Sequence, residues 1–481
     1  MRLILALTLL AASAPAKPNI IWINAEDQSA HYGPFIKTVA KTPNVDRLAA
    51  EGVKFTRAFV TAPVCSPSRS ALITGMYQTT IGAHQHRSGR SEKQIHLPEG
   101  VRLIPEMMRE AGYAVANGRY RNATTAELAQ GKTDYNFVYP EDLYDGGDWK
   151  DLPSDKPFFA QIQLRGGKFR DQRTLGPTKG VQTNGISPAA VELPPYYPDH
   201  IDIRRDWARY LESVEHVDWE VGRILEAIQK RGIADNTVVF FFTDHGVSHA
   251  RGKQFVYEEG IRIPLIVWGA GVEKGAVRED LVAHIDVAAD TLRLAEVEIP
   301  EYMQGRPLFG EGSGTREYVV SARDRCDETV ERLRSVRTKQ YKYIRNYYYA
   351  RPHMQPNRYK DAKALTKVLR RLHAEGKLNR DQDRIFDSTR APEELYDLEA
   401  DPHELHNLAH QPKYAKTLAK HGAMLDAWIS KSGDRGETPE SAEYYDAEMR
   451  VYLKGADDSD PRTQELKDNI AQMKAWAAEG R

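Results

Sequence analysis

Residues 237–246 read TVVFFFTDHG: six β-branched or aromatic residues in a row, then Thr243, Asp244, His245 and Gly246. A half-exposed strand alternates apolar and polar residues. An unbroken run suits a strand covered on both faces, as in a parallel sheet flanked by helices. The same texture recurs in NIIWIN (19–24), PFFAQIQL (157–164) and IPLIVWG (263–269). Helical patterns lie between these runs. TPNVDRLAAEGV (42–53) opens with Thr42 and Pro43 in N-terminal positions and closes at Gly52. Residues 204–232 carry apolar side chains at helical spacing and end at Gly232. Strands alternating with helices predict an α/β fold with a large mixed, mostly parallel sheet.

Beyond the Gly-rich FGEGSGT (309–315) the texture changes. REYVVSAR (316–323), RLRSVRTKQYKYIRNYYY (332–349) and EELYDL (393–398) read as shorter, alternating strands of a smaller α+β unit. The expected division is therefore residues 17–312 for the α/β domain and 313–481 for the C-terminal unit. Residues 360–383, KDAKALTKVLRRLHAEGKLNRDQD, read as a charged helix with a solvated face.

The first residues, MRLILALTLLAASAPAKPN, combine Arg2, a short apolar run and Ala14-Pro15-Ala16. That pattern predicts a secretory signal peptide over residues 1–16 and an exported chain, periplasmic or secreted. No later stretch reaches the length of a membrane span. Two cysteines in 481 residues form no disulfide framework, and the charges balance to -1. Nothing global points to nucleic acid or a membrane surface, so an anionic ligand must meet a local basic site.

Chemistry gathers at the strand ends. NIIWIN runs into Ala25, Glu26 and Asp27, and TVVFFF into Thr243, Asp244 and His245. Ligands of open α/β sheets sit at the carboxyl ends of strands. Two oxygen-rich ends could close on a hard cation such as calcium, or could be two solvated loop openings. CSPSRSALITG (65–75) reads as a helix opening, with Pro67 in the first turn and Ser66 or Ser68 as cap. Cys65 then stands at a helix N-terminus, where N–H groups favour anions, and Arg69 lies one turn on. A nucleophile in an anion site beside a metal is the arrangement for sulfuryl or phosphoryl transfer.

Cys65-Ser66-Pro67-Ser68-Arg69 resembles the C-x-P-x-R signature of the type I sulfatases, of the alkaline-phosphatase superfamily, whose cysteine is oxidised to formylglycine. KPNIIWINAEDQS (17–29), TPNVDRLAAEGVKFTRAFV (42–60), VVFFFTDHG (238–246), RGKQFVYEEGIRIPLIVWGAG (251–271) and EELYDLEADPHELHNLA (393–409) are similar to the family's segments in the same order. The resemblance implies an alkaline-phosphatase-like fold and a formylglycine nucleophile from Cys65. It implies calcium held by Glu26, Asp27, Asp244, His245 and residue 65, with Arg69 on the nucleophile and Lys253 on the sulfate. It further implies a formylglycine-generating enzyme as partner and a sulfated carbohydrate, such as a glycosaminoglycan, as substrate. Residues 193–222 and 321–347 bear a slighter resemblance to the N-sulfoglucosamine sulfohydrolase branch.

The pattern departs from the family in places. Glu26 stands where many relatives have Asp, and His245 where many have Asn. For the usual Lys-x-His pair the chain offers Arg119 and Arg121, or Lys132 and Asp134. Lys132 is favoured, because GKTDYNF (131–137) resembles a segment of some subfamilies. The usual His after the PFF strand is replaced by Lys168. Positive neighbours would lower its pKa and let it act as general acid, or it is a surface lysine. His249, between Asp244 and Lys253, joins the candidates, whereas His84 and His86 are set aside because an isolated His is more often structural. Two rival functions remain: a phosphatase or phosphonate hydrolase of the superfamily, and a non-catalytic glycan-binding homologue.

Overall fold

The computed structural model describes residues 17–120, 127–176 and 180–481; the signal peptide expected over 1–16 and Arg121 lie outside them. The apolar runs become strands of one eight-stranded sheet. They are β1 (Asn19–Ala25), β2 (Val53–Phe59), β3 (Ala114–Tyr120), β4 (Leu128–Gln130), β5 (Phe158–Leu164), β6 (Thr237–Thr243), β7 (Arg262–Gly269) and β8 (Ala276–Ala283). Their order is β4-β3-β5-β1-β6-β7-β2-β8. The block β3-β5-β1-β6 is parallel, while β7 runs antiparallel to both β6 and β2.

Every residue of β1, β5 and β6 is buried, as their lack of alternation requires. Trp22 sits at the centre, edge-on to Phe159 and Phe242, and its Nε1 donates to Thr291 Oγ1 at 2.9 Å. Ala25 is level with Leu164 on one side and Thr243 on the other. The residues that follow these three strands therefore leave the sheet at one edge.

Helices α1 (Pro43–Glu51), α2 (Cys65–Thr74), α3 (Ile104–Glu110), α4 (Ile201–Lys230), α5 (Glu258–Ile261) and α6 (Asp286–Leu294) belong to this domain. The opening of α1 is not capped by its own Thr42, whose hydroxyl donates to Asp46 at 2.9 Å. Asp218 of α4 does that work, accepting from Val45 N at 2.8 Å and Asn44 Nδ2 at 2.8 Å.

The second sheet is antiparallel, in the order β12-β11-β10-β9. It comprises β9 (Val319–Arg323), β10 (Leu333–Arg337), β11 (Tyr341–Asn346) and β12 (Glu393–Asp397). Around it lie α7 (Arg358–Asp361), α8 (Ala364–Ala374), α9 (Arg380–Asp383), α10 (Ala415–Ser432), α11 (Ala442–Leu453) and α12 (Pro461–Ala478). Among the described residues no helix is long and apolar enough to cross a membrane.

The solvated helix expected over residues 360–383 is a correction. Beneath its charges, Leu365, Val368, Leu369 and Leu372 form an i, i+3, i+4, i+7 stripe that α8 buries against α4. Leu369→Ala is expected to destabilise the protein by about 2–5 kcal/mol, as deletions in a packed core do. Lys367→Ala, on the exposed face, should change it by less than about 0.5 kcal/mol. Urea-unfolding midpoints check the pair, and equal small shifts would return the helix to solvent.

Candidate active site

The loops after β1, β5 and β6 interlock at the sheet edge. Glu26 N donates to Leu164 O and Asp244 N to Ala25 O, each at 3.0 Å, and Asp27 N donates to Asp244 Oδ1 at 3.0 Å. Asp27 adopts the left-handed region, with φ 54°. The loop after β5 presses closely enough that Gly167 N donates to Glu26 O at 2.8 Å. A Cβ at Gly166 would lie 2.0 Å from Glu26 O, and one at Gly167 2.4 Å from Asp27 O. Only glycine admits that approach.

Cys65 is the first residue of α2, as its sequence suggests, and the whole helix is buried. The expected caps are a correction, because neither Ser66 nor Ser68 caps the helix; Val64 precedes it and offers only backbone. Ser66 Oγ instead accepts from Arg87 N at 2.8 Å, and Ser68 Oγ donates to Asp244 O at 2.6 Å. His284 accepts from Thr61 N through Nδ1 (3.2 Å) and donates from Nε2 to Ser68 O (2.9 Å). Burial holds His284 down at about 4, so it is a neutral brace. The serines thus clamp α2 to the neighbouring loops.

Cys65 Sγ lies 3.0 Å from Lys253 Nζ and 3.2 Å from His245 Nε2. Burial pushes its thiol up, but Lys253, Lys132, Lys168 and His245 outweigh that and hold it well below the usual thiol range. Position 65 is therefore built for negative charge.

The donor set around it fits a cation. His245 Nδ1–H donates to Gly246 O at 2.9 Å, which leaves Nε2 free to ligate. Nε2 stands 3.3 Å from Asp27 Oδ1 and 3.6 Å from Asp244 Oδ1. Oxygen ligands at calcium distances, about 2.3–2.6 Å, lie roughly 3.3–3.7 Å from their neighbours when at right angles. Asp27 Oδ2 is buried with no hydrogen-bond partner. Such an atom is costly unless something positive meets it.

Glu26 faces cations as well. Its Oε1 accepts from Arg69 at 2.8 Å and Lys132 at 3.3 Å, and its Oε2 meets Lys168. Burial pushes this carboxyl up, yet Lys168, Lys132 and Arg69 together bring it down to about 2. Arg69 also reaches Asp244 Oδ2 at 3.2 Å.

Of the lysine and arginine candidates, Arg121 lies outside the described residues. Lys132 reaches Glu26 and Asp134, while Arg119 points to solvent at the end of β3. Gln163 of β5 fixes the Lys132 backbone, accepting from its N at 3.0 Å.

Two expectations are corrected. Lys168 is partly exposed, with 30% of its side chain accessible, and its pKa is not lowered. Burial acts downward, but Glu26, Cys65 and Asp27 outweigh both that and Lys253, so the ammonium is held above its usual range. Its ammonium is paired with the Glu26 carboxylate, which favours the charged form. His249 does not face the nucleophile. Its ring stacks on Trp207 (4.8 Å) and its Nε2 meets Arg170 and Asp206, with burial holding it down at about 3.

His86 is the residue that sequence reading passed over. A ring nitrogen of His86 lies within 4.8 Å of both Cys65 Sγ and an Asp134 carboxylate oxygen. Its partner Asp327 is 241 residues away, so no local motif could have joined them.

Residues 18–297 match the Sulfatase family, and residues 245–375 match the C-terminal domain described as N-sulphoglucosamine sulphohydrolase, C-terminal. An ulvan-active sulfatase of Formosa agariphila is 32% identical over 471 residues, covering 89% of this chain and 77% of the relative. The N-acetylgalactosamine-6-sulfatase of Rattus norvegicus is 28% identical, covering 61% of this chain and 65% of its own length. Among solved structures, a putative sulfatase of Bacteroides thetaiotaomicron superposes with TM-score 0.62 at 22% identity, over 93% of this chain and 96% of that one. A phosphonate monoester hydrolase of Silicibacter pomeroyi shares the fold with TM-score 0.60 at 18% identity, over 87% and 96% of the two chains. With an α/β sheet that gathers acidic loops around a helix-borne cysteine, and with relatives of known sulfatase activity along most of its length, the chain belongs to the sulfatase family and is a sulfuric ester hydrolase.

Proposed function

We propose that this sulfatase is exported and removes sulfate from a sulfated polysaccharide, using a formylglycine made from Cys65 and a calcium ion. One observation carries the reading: Cys65 Sγ stands at a buried helix start between Lys253 and His245, beside the partnerless Asp27 Oδ2. Asp27, Asp244 and His245 would hold the ion, with Glu26 behind them. The formylglycine would supply the attacking oxygen, and the ion would offset the negative charge gathered there.

The chain's own residues do the rest. Lys253 puts an ammonium beside residue 65 and Lys168 puts another on Glu26, where an anionic sulfate needs them. Arg69 spans Glu26 and Asp244 and keeps both acidic loops at a fixed spacing. Lys132 completes the positive wall. The polysaccharide reading is supported by relatives described as ulvan-active and as acting on N-acetylgalactosamine 6-sulfate, and by a fold neighbour described as a 2-O GAG sulfatase. The relative at 32% identity favours sulfate over phosphonate as the group cleaved.

Cys65 is 1% exposed and α2 is wholly buried, so a modifying enzyme must read CSPSR before the chain folds. That order agrees with export as an unfolded chain behind the leader at residues 1–16. Mass spectrometry of active enzyme is expected to show aldehyde in place of the Cys65 thiol; full activity with unmodified thiol would overturn the mechanism. Chelation should abolish sulfate release, calcium should restore it, and Asp27→Ala and Asp244→Ala should each be inactive yet folded. Undiminished turnover in a metal-free preparation would refute the ion. Lys168→Ala is expected to lose roughly a hundredfold in kcat, as when one electrostatic donor is removed. The loss should be equal on a sulfated sugar and on 4-nitrophenyl sulfate, and a loss confined to the sugar would restore its role as acid.

A further inference from the structure

A sugar oxygen leaves a sulfate ester poorly unless it is protonated as the S–O bond breaks. Lys168, Lys132 and Lys253 are each engaged with carboxylates. His86 commits only Nδ1 to a carboxylate and keeps Nε2 unpaired. Its ring is 4% exposed, and its backbone N–H is anchored on Arg325 O at 2.9 Å. Nδ1 donates to Asp327 Oδ1 at 3.0 Å, with Cys326 Sγ 3.6 Å away. The Asp327 carboxylate also accepts from Tyr452 Oη at 3.0 Å. Nε2 has no hydrogen-bond partner, and a ring nitrogen lies within 4.8 Å of Cys65 Sγ and Asp134. Burial pushes the imidazole down, but Cys326 and Asp327 outweigh it and hold it well above the usual His range. Nδ1 is thus tied to Asp327, and Nε2 is left unpaired.

We propose that His86, oriented by Asp327, is the general acid of this sulfatase, taking the place of the imidazole that the Lys168 position lacks. The inference rests on the sulfate-ester reading above. In the reaction proposed above, the oxygen on residue 65 bonds to sulfur as the S–O bond to the sugar breaks with its electron pair on the sugar oxygen. The proton on His86 Nε2 moves to that oxygen, leaving a neutral imidazole that water reprotonates. Asp327 is a positioning residue: its carboxylate keeps Nδ1 protonated and turns Nε2 toward residue 65. It stands between β9 and β10, so the C-terminal unit supplies part of the machinery.

His86→Gln and Asp327→Asn, in matured enzyme, test this with two substrates. For His86→Gln, kcat on a sulfated sugar should fall roughly 10²–10⁴-fold, while turnover of 4-nitrophenyl sulfate, whose phenolate needs little help, should fall less than about tenfold. Asp327→Asn should show the same selective loss to a smaller degree. The retained turnover of the activated ester also reports an intact fold. A second measurement needs no turnover: ring ¹⁵N NMR of wild-type protein with unmodified Cys65 should show His86 doubly protonated at pH 7, and Asp327→Asn should return it to neutral. Equal losses on both substrates, or a neutral His86 in the wild type, would overturn the proposal. If the unchanged enzyme released sulfate only from 4-nitrophenyl sulfate, the polysaccharide reading would fail, while the ring measurement would still decide the state of His86.

Discussion

Two carboxylates, Glu26 and Asp27, are buried side by side at the end of a central strand, and the rest of the site answers to them. A buried charge left without a partner costs several kcal/mol, more than most single contacts return. The chain meets that cost with cations from four separate segments. Arg69 comes from α2, Lys132 from the loop after β4, Lys168 from the loop after β5, and Lys253 from the loop after β6. Three of them, Lys253, Lys132 and Lys168, also depress the thiol at residue 65. Four segments that satisfy one acidic pair thereby form a basic wall around the nucleophile, and the charge balance of the fold doubles as the electrostatics of the reaction.

The division of labour between the two carboxylates follows from one methylene. Glu26 is long enough to reach outward, and both its oxygens are taken by Arg69, Lys132 and Lys168. Asp27 is short, and its left-handed backbone turns it inward, where Lys253 meets one oxygen and nothing meets the other. Glu26 thus organises the cations, and Asp27 keeps one buried oxygen without a hydrogen-bond partner.

Much of this was legible in the sequence because it is local. Continuous apolar runs gave the buried strands, the acidic residues after them lie at the shared edge, and Cys65 begins its helix. Lys132 stood out by the texture of its own segment, and it reaches Glu26. What stayed hidden depended on pairs distant along the chain. The sign of the Lys168 shift needed Glu26, whose side chain no spacing rule places against it. The cap of α1 comes from Asp218, over 170 residues on. The apolar stripe of α8 lay beneath a dense coat of Lys and Arg, which drew attention to charge rather than period. His86 looked isolated because Asp327 belongs to another unit.

Residues 244–257, which carry Lys253, have little regular structure yet must hold an ammonium to a fraction of an ångström, since misplacement of catalytic groups is expensive. The C-terminal unit provides that rigidity. Lys360 Nζ donates to His249 O at 3.1 Å, Lys363 Nζ to Ser248 O at 2.5 Å, and Arg323 Nη1 to Gln254 O at 2.5 Å. Arg251, wholly buried, stacks over Tyr257 at 3.9 Å and donates to the carbonyls of His403 and Glu404. Three cations bind carbonyls of the loop, and the loop's own arginine binds carbonyls of the second unit. Burial pushes Lys360 and Lys363 well below their usual range, so these bonds are kept at an electrostatic cost. Apolar side chains would pack there more cheaply, but they could not satisfy the carbonyls of an irregular buried loop. The second unit is therefore a scaffold for the loop that carries Lys253, and through Asp327 it also bonds the ring of His86.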